Sequence, residues 1–301
     1  MRQLIFVHGR AQEHKDAGAL KAEWLEALDE GLRKSGLTLP IAESDVRFPF
    51  YGTTLYDLVD GRSAAEAAEI IVRGTASDAD EQRFLRAVLE EVRQKAGITD
   101  AQLAEIAGQD VVERGPLQWE WVQAVLRAVD RFVPHGSGGG IALATRDVYQ
   151  YLRNAAIRQH IDDGVAQALL ADRESVVVAH SLGTVVAYNM LTQLGASRRW
   201  QVPLFITLGS PLGVNAIRTT MRGLTSPLRC PPCALRWFNA MDERDIVALY
   251  PLTPAHFPLD PAEPAIENKV DVNNRTSNRH GIAGYLDDAE VARRIHDALV
   301  A

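Results

Sequence analysis

Residues 176–183 place a candidate nucleophile in a backbone pattern that would expose it. The segment reads Val-Val-Val-Ala-His-Ser-Leu-Gly, so a run of β-branched residues ends near Ser181 and a helix-forming run follows at once. A serine on a sharp turn between strand and helix, with small residues two positions to either side, is typical of a nucleophile elbow. Those positions hold Ala179 and Gly183. The pattern therefore predicts attack on a carbonyl carbon by Ser181, with alanine in place of the first of the two usual glycines.

A serine hydroxyl is a weak nucleophile near neutral pH, so it needs a base that is oriented by an acid. Where the nucleophile lies on such a turn, the chain order is serine, then aspartate or glutamate, then histidine. Asp242 and Asp245 both follow a predicted strand at residues 234–240. Asp245 directly precedes Ile246-Val247, where the chain turns back into apolar surroundings. We therefore favour Asp245 as the acid and keep Asp242 as the alternative.

The base is expected on a loop before the last helix of the chain. His280 lies there, next to Gly281, and is the favoured candidate, with His256 in a proline-rich loop as the alternative. His296 falls inside the predicted last helix and is expected on its surface. His180 adjoins the serine, but its ring should point away from Ser181, which makes it a supporting residue rather than the base.

Attack on a carbonyl creates an oxyanion that requires preorganised hydrogen-bond donors. The backbone N–H of Leu182, directly after the serine, is one expected donor. The second is expected from the turn His8-Gly9-Arg10 after the first apolar run, through the backbone N–H of Arg10, with Gly9 allowing a close approach. The side chain of Arg10 either forms a structural salt bridge or holds an acidic group of the substrate at the pocket mouth.

The elements around these residues alternate between strand and helix. Apolar runs predict strands, and helical spacing of apolar residues predicts helices. Continuous apolar strands separated by helices indicate an α/β protein with a mostly parallel sheet covered on both faces. The predicted strands are 4–7, 45 to about Pro49, 175–180, 203–209 and 234–240, with an uncertain one near 269–272. The predicted helices are 18–34, 146–170, 182–194 and 287–299.

Residues 53–140 differ, because almost nothing in them is typical of a strand. Helices are predicted at 63–73, 81–95, 99–107 and 116–133, so we expect an all-helical cap inserted into a core of residues 1–52 and 141–301. The last of these helices is apolar around most of its circumference and must be covered on two sides. It either roofs a pocket, with Trp119, Trp121 and Phe132 as candidate lining residues, or is a central core helix.

Two further motifs have plain interpretations. Cys230 and Cys233 are too few for a four-ligand zinc site, and the two prolines between them indicate a turn, so two reduced thiols are favoured over a small-loop disulfide. The glycine-rich residues 136–140 suit a hinge. A phosphate-binding loop is disfavoured because the stretch lacks a Lys-Ser/Thr ending and does not follow a strand.

Composition limits the classes of partner. The net charge of −7 over 301 residues argues against a general nucleic-acid binder. Apolar runs stay far below the roughly 18 to 20 residues that a membrane span needs, which argues against stable membrane insertion. The apolar residues 4–7 come too soon after Met1 for a secretory signal, so we expect a cytoplasmic protein.

Taken together, the segments around Val7-His8-Gly9-Arg10, Ser181, Asp245-Ile246-Val247 and His280 resemble the α/β-hydrolase superfamily, in particular its lipase-like serine esterases. The segment at residues 207–211, Thr-Leu-Gly-Ser-Pro, is similar to one common in lipases. The resemblance covers residues 1–52 and about 145–301 and leaves the insertion unassigned.

The resemblance implies an eight-stranded, mostly parallel sheet, a helical lid, and no metal or organic cofactor. It also implies a small-molecule ester or acyl compound as the substrate. The family includes thioesterases and acyltransferases with the same three residues, and fold alone does not choose among them. A third possibility is an interaction protein that uses a hydrolase core and the helical insertion as a docking surface.

Overall fold

A six-stranded, wholly parallel sheet organises the protein. The computed structural model describes residues 2–9, 16–51 and 79–301. Within these residues the sheet has the strand order β2-β1-β3-β4-β5-β6, and helices cover it. This confirms the α/β class. The strands are β1 Gln3–Val7, β2 Val46–Arg47, β3 Ser175–His180, β4 Phe205–Leu208, β5 Trp237–Ala240 and β6 Ile266–Lys269.

Eleven α-helices are present in the described residues. Before β3 they are α1 Ala17–Arg33, α2 Ala79–Lys95, α3 Asp100–Ala107, α4 Gln109–Arg114, α5 Trp119–Phe132, α6 Gly138–Arg153 and α7 Ala155–Ala166. After β3 they are α8 Leu182–Leu194, α9 Asn215–Arg222, α10 Ala283–Leu286 and α11 Ala289–Val300. The sequence predicted β3 and α8 with these same bounds.

Alternation along β1 shows why its residues 4–7 are apolar on both faces of the sheet. Leu4 and Phe6 belong to a cluster on one side of the sheet, together with α1, α10 and α11. Ile5 and Val7 belong to the larger cluster on the other side. Successive strand residues point to opposite faces, so a strand covered on both sides must be apolar throughout.

The predicted cap does not have a hydrophobic cluster of its own in its described part. Buried residues of α2 and α5, such as Val88 and Val125, share one cluster with Val177 of the sheet. The predicted helix at 63–73 and the rest of 53–78 lie outside the described residues.

Two predicted elements are corrected by the structure. The strand predicted from Asp45 to about Pro49 ends at Arg47, and beyond it the backbone N–H of Tyr51 donates to His8 Nε2 instead of to a neighbouring strand. The helix predicted at 146–170 is two helices that meet at Asn154, whose side chain caps α7 by accepting from the backbone of Ala156.

The glycine-rich stretch is also different from its prediction as a hinge. Gly138 and the two glycines after it form the first turn of α6, which Ser137 caps by accepting from the backbone N–H of Gly140. A Cβ on Gly138 would collide with the carbonyl of Leu126 in α5. This glycine therefore permits the close packing of α5 against α6.

Among the described residues, no helix is both long enough and apolar enough to cross a membrane.

Candidate active site

Three of the predicted site residues meet at one edge of the sheet. Ser181 directly follows β3, Asp245 lies on the loop after β5, and His280 lies on the loop between β6 and α10. Because all the strands are parallel, their carboxyl ends share one edge, where loops from distant parts of the chain converge. The topology thus brings together side chains that are up to 99 positions apart in the sequence.

The turn at Ser181 is strained and tightly packed. Ser181 has φ 55° and ψ −128°, a conformation that side-chain-bearing residues rarely adopt, and it directly precedes α8. Gly183 faces the end of β1, where an added Cβ would lie 2.5 Å from the carbonyl oxygen of His8. Glycine is therefore required at 183, whereas Ala179 is accommodated in the hydrophobic core.

A continuous hydrogen-bond chain joins the three side chains. Ser181 Oγ lies 2.8 Å from His280 Nε2, and His280 Nδ1 lies 2.7 Å from Asp245 Oδ2. A carboxylate can only accept, so Nδ1 carries the proton of the neutral ring and Nε2 is left to accept from the serine hydroxyl. This is the arrangement in which an imidazole can take the serine proton.

Asp245 is buried, yet it remains charged. Its Oδ1 accepts from the backbone N–H of Val247 at 2.8 Å, and its Oδ2 accepts from the hydroxyl of Tyr285 at 2.6 Å as well as from His280. Burial by itself would raise the pKa of Asp245, but the electrostatic interaction with His280 and these hydrogen bonds lower that pKa below its usual range. Sequence reasoning missed Tyr285.

Asp242, the alternative acid, has other partners. Its carboxylate accepts from the guanidinium of Arg244 at 2.6 Å and from the backbone N–H of Asn274 at 2.9 Å. These bonds tie the loop after β5 to the loop after β6. The geometry therefore assigns Asp242 to the loop framework and leaves Asp245 as the acid that faces His280.

His180 braces His280 from the neighbouring strand end. Its Nε2 donates to the backbone carbonyl of His280 at 2.7 Å, and the two rings lie 4.8 Å apart. Burial, reinforced by the nearby His280, lowers the pKa of His180 to about 3, so its ring is neutral. This geometry agrees with a supporting place for His180. The alternative base, His256, stacks on Tyr250 with ring centroids 4.3 Å apart and takes no part in the hydrogen bonds that join Ser181, His280 and Asp245.

His8 holds the end of β1 in a similar way. Its Nδ1 donates to the carbonyl of Gly9 at 2.7 Å, and its Nε2 accepts from the backbone N–H of Tyr51 at 3.0 Å. Burial lowers the pKa of His8 to about 4. A Cβ on Gly9 would lie 2.8 Å from Cβ of Ser181, so Gly9 lets this turn approach the serine.

Of the two predicted oxyanion donors, the structure describes Leu182 but not Arg10. Leu182 is the first residue of α8, so its backbone N–H is free of the helical ladder. It can therefore donate to an atom bound beside Ser181. Arg10 lies outside the described residues, and its assignment stays a prediction.

Ser181 lies at the junction of two cavities. One is an enclosed slot of about 30 Å³, walled by apolar side chains of α2, α6, α9 and the loop after Asp245. The other is an open cleft of about 400 Å³, lined by His280 and by the loops around residues 135–140 and 276–283. The serine hydroxyl thus faces an apolar and a more polar compartment at once.

The three aromatic residues predicted to line a pocket do not border these two cavities. Trp121 is buried in the hydrophobic cluster, and Trp119 and Phe132 pack against that cluster. The reason is that α5 packs against four other helices, α2, α3, α4 and α6. The wall over Ser181 is instead supplied by α6, through Ile141 and Ala144.

The remaining candidate groups lie away from this site. Cys230 and Cys233 are free thiols, and burial raises their pKa to about 11 and about 12, so both are protonated. Within the described ranges, no cluster of histidine, cysteine and acidic side chains has a geometry that could hold a metal ion.

Comparison of the chain with protein-family models, with curated proteins and with solved structures finds no significant match.

Proposed function

We propose that the protein is a serine hydrolase of carboxylic esters. The observation that carries the proposal is the chain from Ser181 through His280 to Asp245, with links of 2.8 and 2.7 Å. A serine, an imidazole and a buried carboxylate in this order form the arrangement that activates a hydroxyl for acyl transfer. Support also comes from the strained turn that holds the serine and from the cavities on either side of it.

The reaction follows from the roles of the three side chains. His280 Nε2 takes the proton of Ser181 as Oγ attacks the ester carbonyl, and Asp245 stabilises the imidazolium that forms. The backbone N–H groups of Leu182 and Arg10 hold the oxyanion. When the tetrahedral intermediate collapses, the imidazolium returns its proton to the leaving alcohol, and Ser181 is left acylated. Water then repeats the sequence and releases the acid.

The same proposal assigns the fold to the α/β-hydrolase superfamily, with residues 53–140 as a helical cap. The parallel sheet, the serine between β3 and α8, and the order serine, aspartate, histidine along the chain support this assignment. The described residues supply six of the eight strands that the superfamily implies.

A thioesterase or acyltransferase would use the same three residues. Coenzyme A carries phosphates, which proteins bind with lysine, arginine or helix N-termini. Among the described residues that line the open cleft there is no lysine or arginine. The cleft is, however, also lined by Ser137 and Gly140 at the start of α6, so hydrolysis of acyl-CoA against simple esters is the measurement that separates the two classes.

The test is labelling by a fluorophosphonate probe together with turnover of p-nitrophenyl butyrate. Ser181→Ala should abolish labelling and lower kcat by about 10⁴-fold or more, because the bond-forming atom is gone. The matched control is Ser175→Ala, a buried serine at the opposite end of the same strand. It should be labelled like the wild type. An unlabelled wild-type protein, or equal labelling of Ser181→Ala, would refute the proposal.

A further inference from the structure

The two cavities at Ser181 differ in which reacting groups they contain. Leu182, whose N–H is an expected oxyanion donor, lines the enclosed slot, and His280 does not. His280 lines the open cleft, and Leu182 does not. Ser181 borders both. An ester bound at the serine must therefore place one of its halves in each cavity.

The chemistry of the imidazole decides which half goes where. In ester cleavage the imidazole takes the proton of the serine and must then deliver it to the leaving oxygen, so the leaving alcohol lies beside the imidazole. Here that side is the open cleft. The acyl chain, which stays on Ser181 until water attacks, is left with the slot.

The slot walls define the acyl group that fits. They are formed largely by branched aliphatic side chains, including Val88 and Val92 of α2, Val148 of α6 and Ile217 of α9. None of the described lining side chains is ionisable. A volume of about 30 Å³ has room for about two water molecules. Stiff β-branched walls around so narrow a space admit a short, unbranched aliphatic chain.

The cleft is wider and more polar than the slot, although most of its lining is still apolar. It is open to solvent, has a volume of about 400 Å³, and presents the polar side chains of Ser137, Thr276 and Asn278. With no lysine or arginine in its described lining, it offers hydrogen bonds without positive charge to bind a phosphate or carboxylate. A larger neutral alcohol that carries hydroxyl groups matches this surface.

We propose that the substrates are esters of a short unbranched fatty acid, acetate to butyrate, with a larger, neutral, hydroxyl-bearing alcohol. The acyl chain lies in the slot between α2, α6 and α9, and the alcohol lies in the cleft beside His280. This inference rests on the proposed function, because it requires Ser181 to be the nucleophile.

Two ester series test the orientation. The first keeps p-nitrophenol as the leaving group and lengthens the acid from two to twelve carbons. The second keeps butyrate and varies the alcohol from methanol to glycerol and glucose. The wild type should show an optimum in kcat/KM at four carbons or fewer, with a rise of about fourfold for each methylene up to that point. In the second series kcat/KM should rise with the size and hydroxyl content of the alcohol.

Val92→Ala is the variant that tests the acyl half of the ester separately from the alcohol half. It removes two methyl groups from the slot wall, so the acid optimum should lengthen by about two methylenes while the alcohol preference stays unchanged. Val88→Ala is a second slot variant with the same expected shift, for use if Val92→Ala folds poorly. The matched control is Val122→Ala on α5, which is equally buried but does not line the slot. Its acid optimum should remain that of the wild type.

The possible outcomes distinguish a failure of the short-chain assignment from a failure of the proposed serine-hydrolase function. A wild type that fluorophosphonate labels, but that prefers acids of eight carbons or more, overturns the short-chain assignment alone. A change of alcohol preference in Val92→Ala with no change of acid optimum shows that the two halves bind the other way round. An absence of labelling in the wild type removes the proposed function instead.

Discussion

Histidines from two regions of this protein lie around the same serine, and they have different hydrogen-bond partners. At the ends of the adjacent strands β1 and β3, the rings of His8 and His180 donate to backbone carbonyls, of Gly9 at 2.7 Å and of His280 at 2.7 Å. On the loop after β6, the ring of His280 lies between the carboxylate of Asp245 and the hydroxyl of Ser181.

The partner, rather than the distance from the serine along the chain, sets the chemistry of each ring. A carbonyl fixes which nitrogen carries the proton but offers no charge to balance a second one, so burial lowers the pKa of His8 to about 4 and that of His180 to about 3. A buried carboxylate does balance it. Under the proposed function, His280 is therefore the ring that takes the serine proton, although His180 is the sequence neighbour of Ser181.

Removal of the carboxylate charge should have the largest effect. Asp245→Asn leaves a side chain of similar shape but no charge to balance the imidazolium, and its amide can donate to Nδ1 and so favour the wrong tautomer. We expect kcat for p-nitrophenyl butyrate to fall by about 10³- to 10⁴-fold. Steady-state kinetics on folded protein, verified by circular dichroism, measures the loss.

Asp242→Asn is the matched control, because Asp242 is also buried and lies on the same loop. Its partners are Arg244 and the backbone of Asn274. It should lower thermal stability and retain kcat within a few-fold of the wild type. A loss of activity as deep as that of Asp245→Asn would show that the two carboxylates are not functionally distinct.

The contrast between the two regions also predicts how stability depends on pH. In the unfolded chain a histidine takes up a proton near pH 6.5, whereas folded His8 and His180 do so only near 4 and 3. The unfolded state therefore binds more protons between these values, and stability falls as pH falls through this window. At pH 5 each ring should lower the free energy of unfolding by about 2 kcal/mol relative to pH 7.5.

Urea unfolding at pH 7.5 and pH 5 of the wild type and His8→Asn measures this effect. Asp162 acts in the opposite direction, because burial raises its pKa to about 6, so the informative quantity is the difference between the two proteins. The stability lost on acidification should be about 2 kcal/mol smaller in His8→Asn. An equal loss in both would mean that His8 is protonated in the fold.

The sequence predicted the hydrogen-bonded residues of the candidate site better than the residues that wall the slot beside it. Ser181, Asp245 and His280 could be found because a strained turn needs small neighbours and because the chain order is constrained. The slot could not be found this way. Val88 and Val92 lie on a helical stripe that is typical of a core face, and whether such a stripe meets side chains or a cavity depends on which helix packs opposite.

Trp119, Trp121 and Phe132 illustrate the same limit. The apolar residues around most of α5 make these three aromatics pocket candidates, but α5 packs against four other helices instead of bordering the two cavities at Ser181. Tyr285 was missed for a related reason. A tyrosine shortly before the last helix reads as an ordinary core aromatic, and nothing local indicates that its hydroxyl reaches Asp245.

Tyr285→Phe should have the smallest effect and refines what the carboxylate needs. The hydroxyl donates to the same Oδ2 that His280 contacts, and it accepts from the backbone N–H of Asp242 at 3.3 Å. Its loss leaves Asp245 charged but less firmly placed. We expect kcat to fall by about tenfold with KM unchanged, the scale of one hydrogen bond to a charged group.

Tyr188→Phe is the control, since it removes a hydroxyl that contacts the backbone of Arg229. If Tyr285→Phe keeps full kcat, His280 and the backbone suffice to hold Asp245. If kcat of Tyr285→Phe falls as far as kcat of Asp245→Asn, the hydroxyl does more than position the carboxylate.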